Sequence, residues 1–316
     1  MNRYTLTCLL VLVCIYFINA QQIPLFTQYE NNFGVINPAA IPSDFFTHHN
    51  TGSFGLSFRR QWVDIPNPPT TQVLHGEYFA ADRTGVAPLF GGYILNDQTG
   101  PTGLTGIYGR IAGVVTGDAE YSGLSIGLSA GAVQYRVKTS DLKLHDANDI
   151  TASTDRTQMM PDISLGIFYY QRLNGLIDND YFFTGISVPQ FFSFDFTLPR
   201  SNGTLNIIRT PHYYATIGWY HFLDNDSYLE PTAWVRYVPN APVSVDINLR
   251  YNIGGTFYVG TGASTSGTVH AETGLFLGKG NGWANNFKLG YSFDMPLQTY
   301  GAYTGTSHEF HVGYSF

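Results

Sequence analysis

Apolar side chains in this chain recur at every second position, segment after segment, and after residue 20 they never gather into a long run. In Ser53-Phe54-Gly55-Leu56-Ser57-Phe58 they take alternate places, and Leu124, Ile126, Leu128, Ala130 and Ala132 alternate with Ser125, Gly127, Ser129 and Gly131. A strand sends successive side chains to opposite faces, so a period of two predicts strands with one apolar and one polar face. Val245, Ile247, Leu249 and Tyr251 alternate with Asp246, Asn248 and Arg250. Polar or charged residues at three successive places on one face are costly in a dry sandwich core. They are ordinary in the polar lumen of a membrane barrel.

Composition narrows the class further. No stretch after residue 20 approaches the roughly 20 apolar residues that a membrane helix needs. Charged residues make up only 12% of the chain, aromatic residues 16%, and Gly (34), Tyr (22) and Phe (23) are abundant. A soluble core would draw more on Leu and Ile, whereas a lipid-facing wall with aromatic girdles uses this mixture. The expected fold is all-β: an antiparallel transmembrane β-barrel. A net charge of -7 argues against a nucleic-acid partner.

The N-terminus points to the same compartment. Arg3 followed by the apolar stretch from Leu6 to Phe17, then Asn19-Ala20 before Gln21-Gln22, reads as a signal peptide spanning residues 1–20, cleaved on export. Cys14 follows Val13 rather than a small residue, so it reads as part of the apolar stretch and not as a lipid anchor. Both cysteines, Cys8 and Cys14, fall in that segment, which leaves the mature chain no disulfide framework and no thiolate site.

Alternating segments number fourteen, at about 51–60, 71–81, 88–96, 105–115, 122–135, 158–171, 181–188, 211–221, 227–238, 243–252, 255–262, 268–277, 285–294 and 308–316. About 14 strands satisfies the even number that bacterial outer-membrane barrels require, and most segments are near the roughly 9–11 residues of a tilted spanning strand. Connections after even-numbered strands are short and those after odd-numbered ones include the longest, at 136–157 and 189–210, as expected if both termini are periplasmic. The gaps near 239–242 and 263–267 are short exceptions. The barrel thus occupies residues 51–316. Residues 21–50, with Pro24, Asn37-Pro38 and Pro42, form a lead segment that cannot be a regular strand or helix, lying at the periplasmic mouth or tucked into the lumen.

Few residues carry chemistry. His48-His49 lacks an acidic or cysteine ligand at metal spacing. Asp97, Asp141, Asp146, Asp149 and Asp155 show no calcium-loop pattern, and Arg136, Lys138, Lys143 and Arg156 balance them. Ser307-His308 are sequence neighbours at a strand start, with no nucleophile elbow. No catalytic residue, metal or cofactor is expected, and the chain reads as a non-enzyme. Arg60, Gln61 and Trp62 at the outer end of the first strand combine an interface anchor with residue types favoured at protein–protein contacts, and Pro66, Pro68 and Pro69 stiffen the adjoining loop. Asn96, Asp97, Gly100 and Pro101 belong to a stretch that reads first as a turn and second as a contact. Phe310, Val312, Tyr314 and Phe316 put apolar side chains on one face of the last strand. This ending resembles the signal read by barrel-assembly machinery.

Phe26-Thr27-Gln28-Tyr29 and Ile36-Asn37-Pro38-Ala39 resemble the opening signature of the PorP/SprF family of outer-membrane proteins of the Bacteroidetes type IX secretion system. The likeness runs through Arg60-Gln61-Trp62-Val63 with Thr71-Gln72, Asn96-Asp97, Gly100-Pro101, Pro161-Asp162, Gly166-Ile167, Gly185-Ile186-Ser187-Val188-Pro189 and His212-Tyr213-Tyr214. It continues in Tyr237-Val238, Ala241-Pro242-Val243-Ser244-Val245-Asp246 and Ser307-His308-Glu309. Glu30-Asn31-Asn32 and Ala39-Ala40-Ile41 depart from the family's usual, more apolar run and its Ala-Tyr-Ala-Gly type continuation. The resemblance implies a component of the secretion and gliding machinery that docks periplasmic ring components, or helps export or retain a surface adhesin. A passive outer-membrane pore is the alternative, because fourteen strands enclose a lumen wide enough for solutes unless loops or residues 21–50 fill it.

Overall fold

A computed structural model describes residues 25–138, 155–173, 180–192, 195–200, 203–208, 210–223, 225–278, 283, 285–299 and 301–316. The expected signal peptide and Asp141, Lys143, Asp146 and Asp149 lie outside the described residues. Fourteen antiparallel strands close into a barrel. In chain order they are β1 (Gly52–Arg60), β2 (Thr70–Phe79), β3 (Gly85–Thr99), β4 (Thr102–Thr116), β5 (Ser122–Val137), β6 (Arg156–Leu173) and β7 (Asp180–Val188). A separate hairpin follows, β8 (Asp195–Arg200) with β9 (Gly203–Ile208). The wall resumes with β10 (Tyr213–Phe222), β11 (Tyr228–Tyr237), β12 (Ser244–Ile253), β13 (Phe257–Ser264), β14 (Thr268–Leu277), β15 (Asn286–Pro296) and β16 (Ser307–Ser315). Closure is direct: β1 pairs β2 on one side and β16 on the other, from Ser53 opposite Ser315 to Arg60 opposite His308. No wall edge runs free through the closed part, which is what a strand-built membrane span requires.

Burial runs opposite to that of a water-soluble fold. Along β1, Phe54, Leu56 and Phe58 are exposed at 57%, 49% and 37%, while the intervening Ser57 and Arg59 are buried. The same inversion holds along β12, where Ile247 and Leu249 are exposed while Asn248 and Arg250 are buried. The apolar set forms a lipid-facing belt, and the polar set points into the lumen. Among the described residues no helix is long and apolar enough to cross a membrane. The barrel's strands make the membrane crossing.

Two sequence expectations need correction. The stretch from Asn96 to Pro101 is not one turn: Asn96 and Asp97 are ladder residues of β3, and only Gly100-Pro101 turn the chain, with Gly100 at φ 56. A positive φ followed by proline's fixed negative φ suits a two-residue hairpin, so the ladder runs to its tip. The connection between β7 and β10 contains the hairpin β8–β9. Its sequence signal was present, since Phe194, Phe196 and Leu198 alternate with Asp195 and Thr197.

Candidate functional site

Residues 25–50 run through the lumen from one mouth to the other. They are not free of helix, as their prolines had suggested: a 3₁₀ turn covers Tyr29–Asn32, and short helices cover Phe33–Ile36 and Ser43–His48. Proline acts at the boundaries. The first helix stops before Pro38, and Pro42 immediately precedes the second. At the mouth carrying the long connections, Leu25 and Phe26 border a cavity of about 140 Å³. At the opposite, short-turn mouth, Asn50 Nδ2 donates to Ser315 Oγ at 2.8 Å and the N–H groups of Thr51 and Gly52 donate to the Phe316 carbonyl.

The plug segment 27–32 is polar and is held to the wall by hydrogen bonds and by one ion pair, Glu30 with Arg250. Arg250 of β12 sits among three carboxylates, Glu30 of the plug at 3.4 Å, Glu230 of β11 at 3.2 Å and Glu272 of β14 at 2.9 Å, all buried. Glu30 also accepts from Asn248 Nδ2 and from Thr232 Oγ1, which in turn bonds the Tyr29 hydroxyl. Arg59 of β1 bridges Asp294 and Glu309, at 2.7 and 3.3 Å. The same two carboxylates accept from the Thr27 hydroxyl and the backbone N–H groups of Thr27 and Gln28. Lys288 Nζ donates to Asn31, and Ser57 Oγ to Asn32 at 3.1 Å. Glu30, Asn31 and Asn32 are thus each matched by a polar wall residue.

From Phe33 onward the plug's large buried side chains are apolar. Phe33, Phe45 and Phe46 meet Phe79 of β2, Tyr170 of β6, Phe183 of β7 and Tyr220 of β10, with ring centroids 5.0–6.4 Å apart. Between Phe33 and Phe45 lies Asn37-Pro38-Ala39. Asn37 Nδ2 donates to the carbonyls of Ile167 and Ile186, and Ser187 Oγ donates to the Ile36 carbonyl at 2.8 Å. Arg110 of β4, paired with Glu77, donates to the carbonyls of Pro38 and Ala40. This contact needs bare wall. A Cβ at Gly127 would come within 2.5 Å of the Pro38 carbonyl oxygen, and one at Gly166 would overlap the Asn37 side chain. The signature Ile36-Asn37-Pro38-Ala39 is the plug's seat on β5, β6 and β7.

The sequence-derived contact residues share the long-loop mouth, on adjacent strands, since Thr70 of β2 lies opposite both Arg60 and Gln98. Gln61 and Trp62 line the 140 Å³ cavity together with Arg236, Asp246, Asp294 and Ser307. Asp97 accepts from Thr71 Oγ1 at 2.6 Å and lines a neighbouring cavity of about 50 Å³ with Tyr93, Tyr108, Tyr214 and Trp234. Phe26 borders both cavities. Trp62 adopts φ 52, an unfavourable value for a bulky residue, and is held by its N–H to Ser307 Oγ and by Val63 N–H to the Thr306 carbonyl. Arg60 is exposed on the outer face, Asn96 accepts from Thr105 Oγ1 on the exposed side, and Gly100-Pro101 cap the β3–β4 hairpin. These four do not enter the cavities.

The remaining candidates separate. Ser307 is buried towards the lumen, while the adjacent His308 bonds the Tyr291 hydroxyl, so they do not face one another. His48 ends the helix Ser43–His48, and His49 follows it at φ 55. Among the described residues no group of three or more His, Cys, Asp or Glu could hold a metal. Phe310, Val312, Tyr314 and Phe316 lie exposed on the outer face of β16, with Phe316 stacked 6.1 Å from Phe54.

A family model described as type IX secretion system membrane protein PorP/SprF matches residues 18–314. No curated protein sequence matches the chain. Among solved structures the chain is similar to a deltaS2 mutant of the TodX monoaromatic hydrocarbon channel, at 11% identity over 90% of this chain and 94% of that one, TM-score 0.47. It is also similar to a Pseudomonas aeruginosa FadL homologue, at 9% identity over 84% and 89%, TM-score 0.47. A third likeness is to the translocator domain of autotransporter NalP from Neisseria meningitidis, at 14% identity over 85% and 90%, TM-score 0.42.

Proposed function

The chain belongs to the PorP/SprF family of type IX secretion system membrane proteins, and on that premise we propose that it is a non-enzymatic partner barrel. It helps export or anchor a secreted adhesin, or docks periplasmic ring components, rather than conducting solutes. The observation that carries this reading is the occupied lumen. Residues 25–50 are bonded to strands all around the wall, and polar plug groups are matched to polar wall groups down to single carboxylates. A barrel whose passage is filled in this way offers surfaces, not a channel.

Orientation follows from loop length. Short turns face the periplasm with Phe316, and the long connections with Trp62 and Asp97 face the cell exterior. On this reading Gln61, Trp62 and Asp97 form the inner rim of the external contact surface, and Arg60, Asn96, Gly100 and Pro101 its outer rim. Trp62, kept in its uncommon backbone conformation by two successive contacts, is a pre-shaped anchor. The last strand's outward aromatics serve as the assembly signal.

Affinity purification from native outer membranes tests the proposal. It expects type IX components or a surface adhesin to be recovered with the chain, and the purified barrel to be silent in planar bilayers. A steady open conductance with no secretion component recovered would establish the pore instead.

A further inference from the structure

β6 is 18 residues long and pairs with β5 throughout, from Arg156 opposite Val137 to Gln171 opposite Ser122. β7 has 9 residues, and its ladder with β6 stops at Val188 opposite Leu165. One further bond, from the Phe191 N–H to the Ile163 carbonyl at 2.8 Å, ends the contact. Beyond it, towards the long-loop mouth, no strand lies beside Thr157, Met159 and Pro161 among the described residues, because β8–β9 forms a sheet of its own. The rim of the barrel therefore has a step, with the upper edge of β6 as its side.

Backbone groups along a strand face alternate sides with a period of two. Since the Ile163 carbonyl faces β7, the backbone groups of Pro161, Met159 and Thr157 face the same side, away from β5. Pro161 agrees with this. A proline nitrogen carries no proton and is tolerated where it faces an edge, not a partner strand. The side chains of Thr157, Met159 and Pro161 are exposed, Met159 at 68%. At the foot of the step Phe191 and Phe192 are exposed too, with rings in edge-to-face contact at 5.0 Å.

Proteins usually cover or blunt such edges, and among the described residues only Pro161 does so, at one position. A row of alternating N–H and C=O groups at strand spacing is complemented by one chemistry, another extended polypeptide backbone. We propose that the upper edge of β6, from Thr157 to Pro161, accepts an extended strand from the secretion partner by β-strand addition, with Phe191 and Phe192 receiving its apolar side chains. This deepens the partner reading above and rests on it.

Two variants separate backbone from side chain. Met159→Pro removes an edge N–H without touching the ladder to β5, and Met159→Ala keeps the N–H and removes the side chain. With the full chain purified from native outer membranes, recovery of identified type IX components is expected to fall about tenfold for Met159→Pro and to stay within about twofold for Met159→Ala, since one lost hydrogen bond plus a strand clash exceeds 1.4 kcal/mol. Heat-modifiable gel mobility reports that both barrels are folded. Equal recovery for the two variants would overturn the proposal. Hydrogen exchange on the isolated barrel gives a second readout: the amides of Thr157 and Met159 are expected to exchange fast. Slow exchange would assign the edge to the chain's own hairpin and overturn the partner strand. No secretion component recovered even with the unmodified chain would instead sink the partner reading itself, and this inference with it.

Discussion

Arg250 shows how much of the lumen rests on single residues. Its guanidinium is enclosed by Glu30, Glu230 and Glu272 and lies 4.7 Å from the Tyr258 ring centroid, out of reach of water. A buried ion group is costly when one partner is removed, because the charge left behind is uncompensated. Arg250→Met strands three carboxylates together and is expected to destabilise the barrel by about 3–5 kcal/mol. Glu30→Gln leaves Arg250 two carboxylates, and its amide oxygen still accepts from Asn248 and Thr232. Its expected cost is about 1 kcal/mol. Thermal loss of the folded gel band in detergent measures both, and equal midpoints would remove Arg250 from its central place. Arg250 was legible in the sequence as an inward residue of an alternating strand. Glu30 was not: it stood out only as a departure from an apolar run, and its partner lies 220 residues away.

At the scale of elements the plug has a direction as well as a place. Leu25 lies at the long-loop mouth and Asn50 at the short-turn mouth, so the chain enters the lumen from the side opposite to Phe316. With the long connections outside, residue 25 is reached from the cell exterior. Because Cys8 and Cys14 are the only cysteines of the sequence, replacing both with Ser gives a clean background for single-cysteine variants. Leu25→Cys is expected to react with a small membrane-impermeant thiol reagent on intact cells. Asp82→Cys, in the exposed turn between β2 and β3, is expected to react only after permeabilisation. The reverse pattern would invert the barrel. The boundaries of the wall strands were otherwise readable from alternation, apart from the extra length of β3 to β6, which depends on pairing between neighbours and not on hydrophobicity.

For the whole molecule the decisive event is closure of β1 on β16. Phe316 takes part twice: its carbonyl accepts the N–H groups of Thr51 and Gly52, and its ring stacks with Phe54 on the lipid face. Deleting Phe316 removes both at the seam and is expected to lower outer-membrane levels several-fold, measured by immunoblot of membrane fractions against an unrelated barrel. Unchanged levels would confine Phe316 to packing.

Fold class, the number of wall strands and the inward or outward facing of residues in the clearly alternating segments were determined by the sequence alone. The physical reason is local: the two faces of a membrane strand meet lipid and lumen, so a period of two records them directly. Glycines 127 and 166 and the signature Asn37-Pro38 were equally visible as residues, yet their meaning was not. That the signature seats a plug, that Glu30 completes the Arg250 cluster, that Trp62 and Asp97 flank Phe26, and that β6 rises past β7 were decided only by the tertiary structure. Each depends on what a closed wall brings across its lumen or leaves unpaired at its rim, and neither distance is written in the order of neighbouring residues.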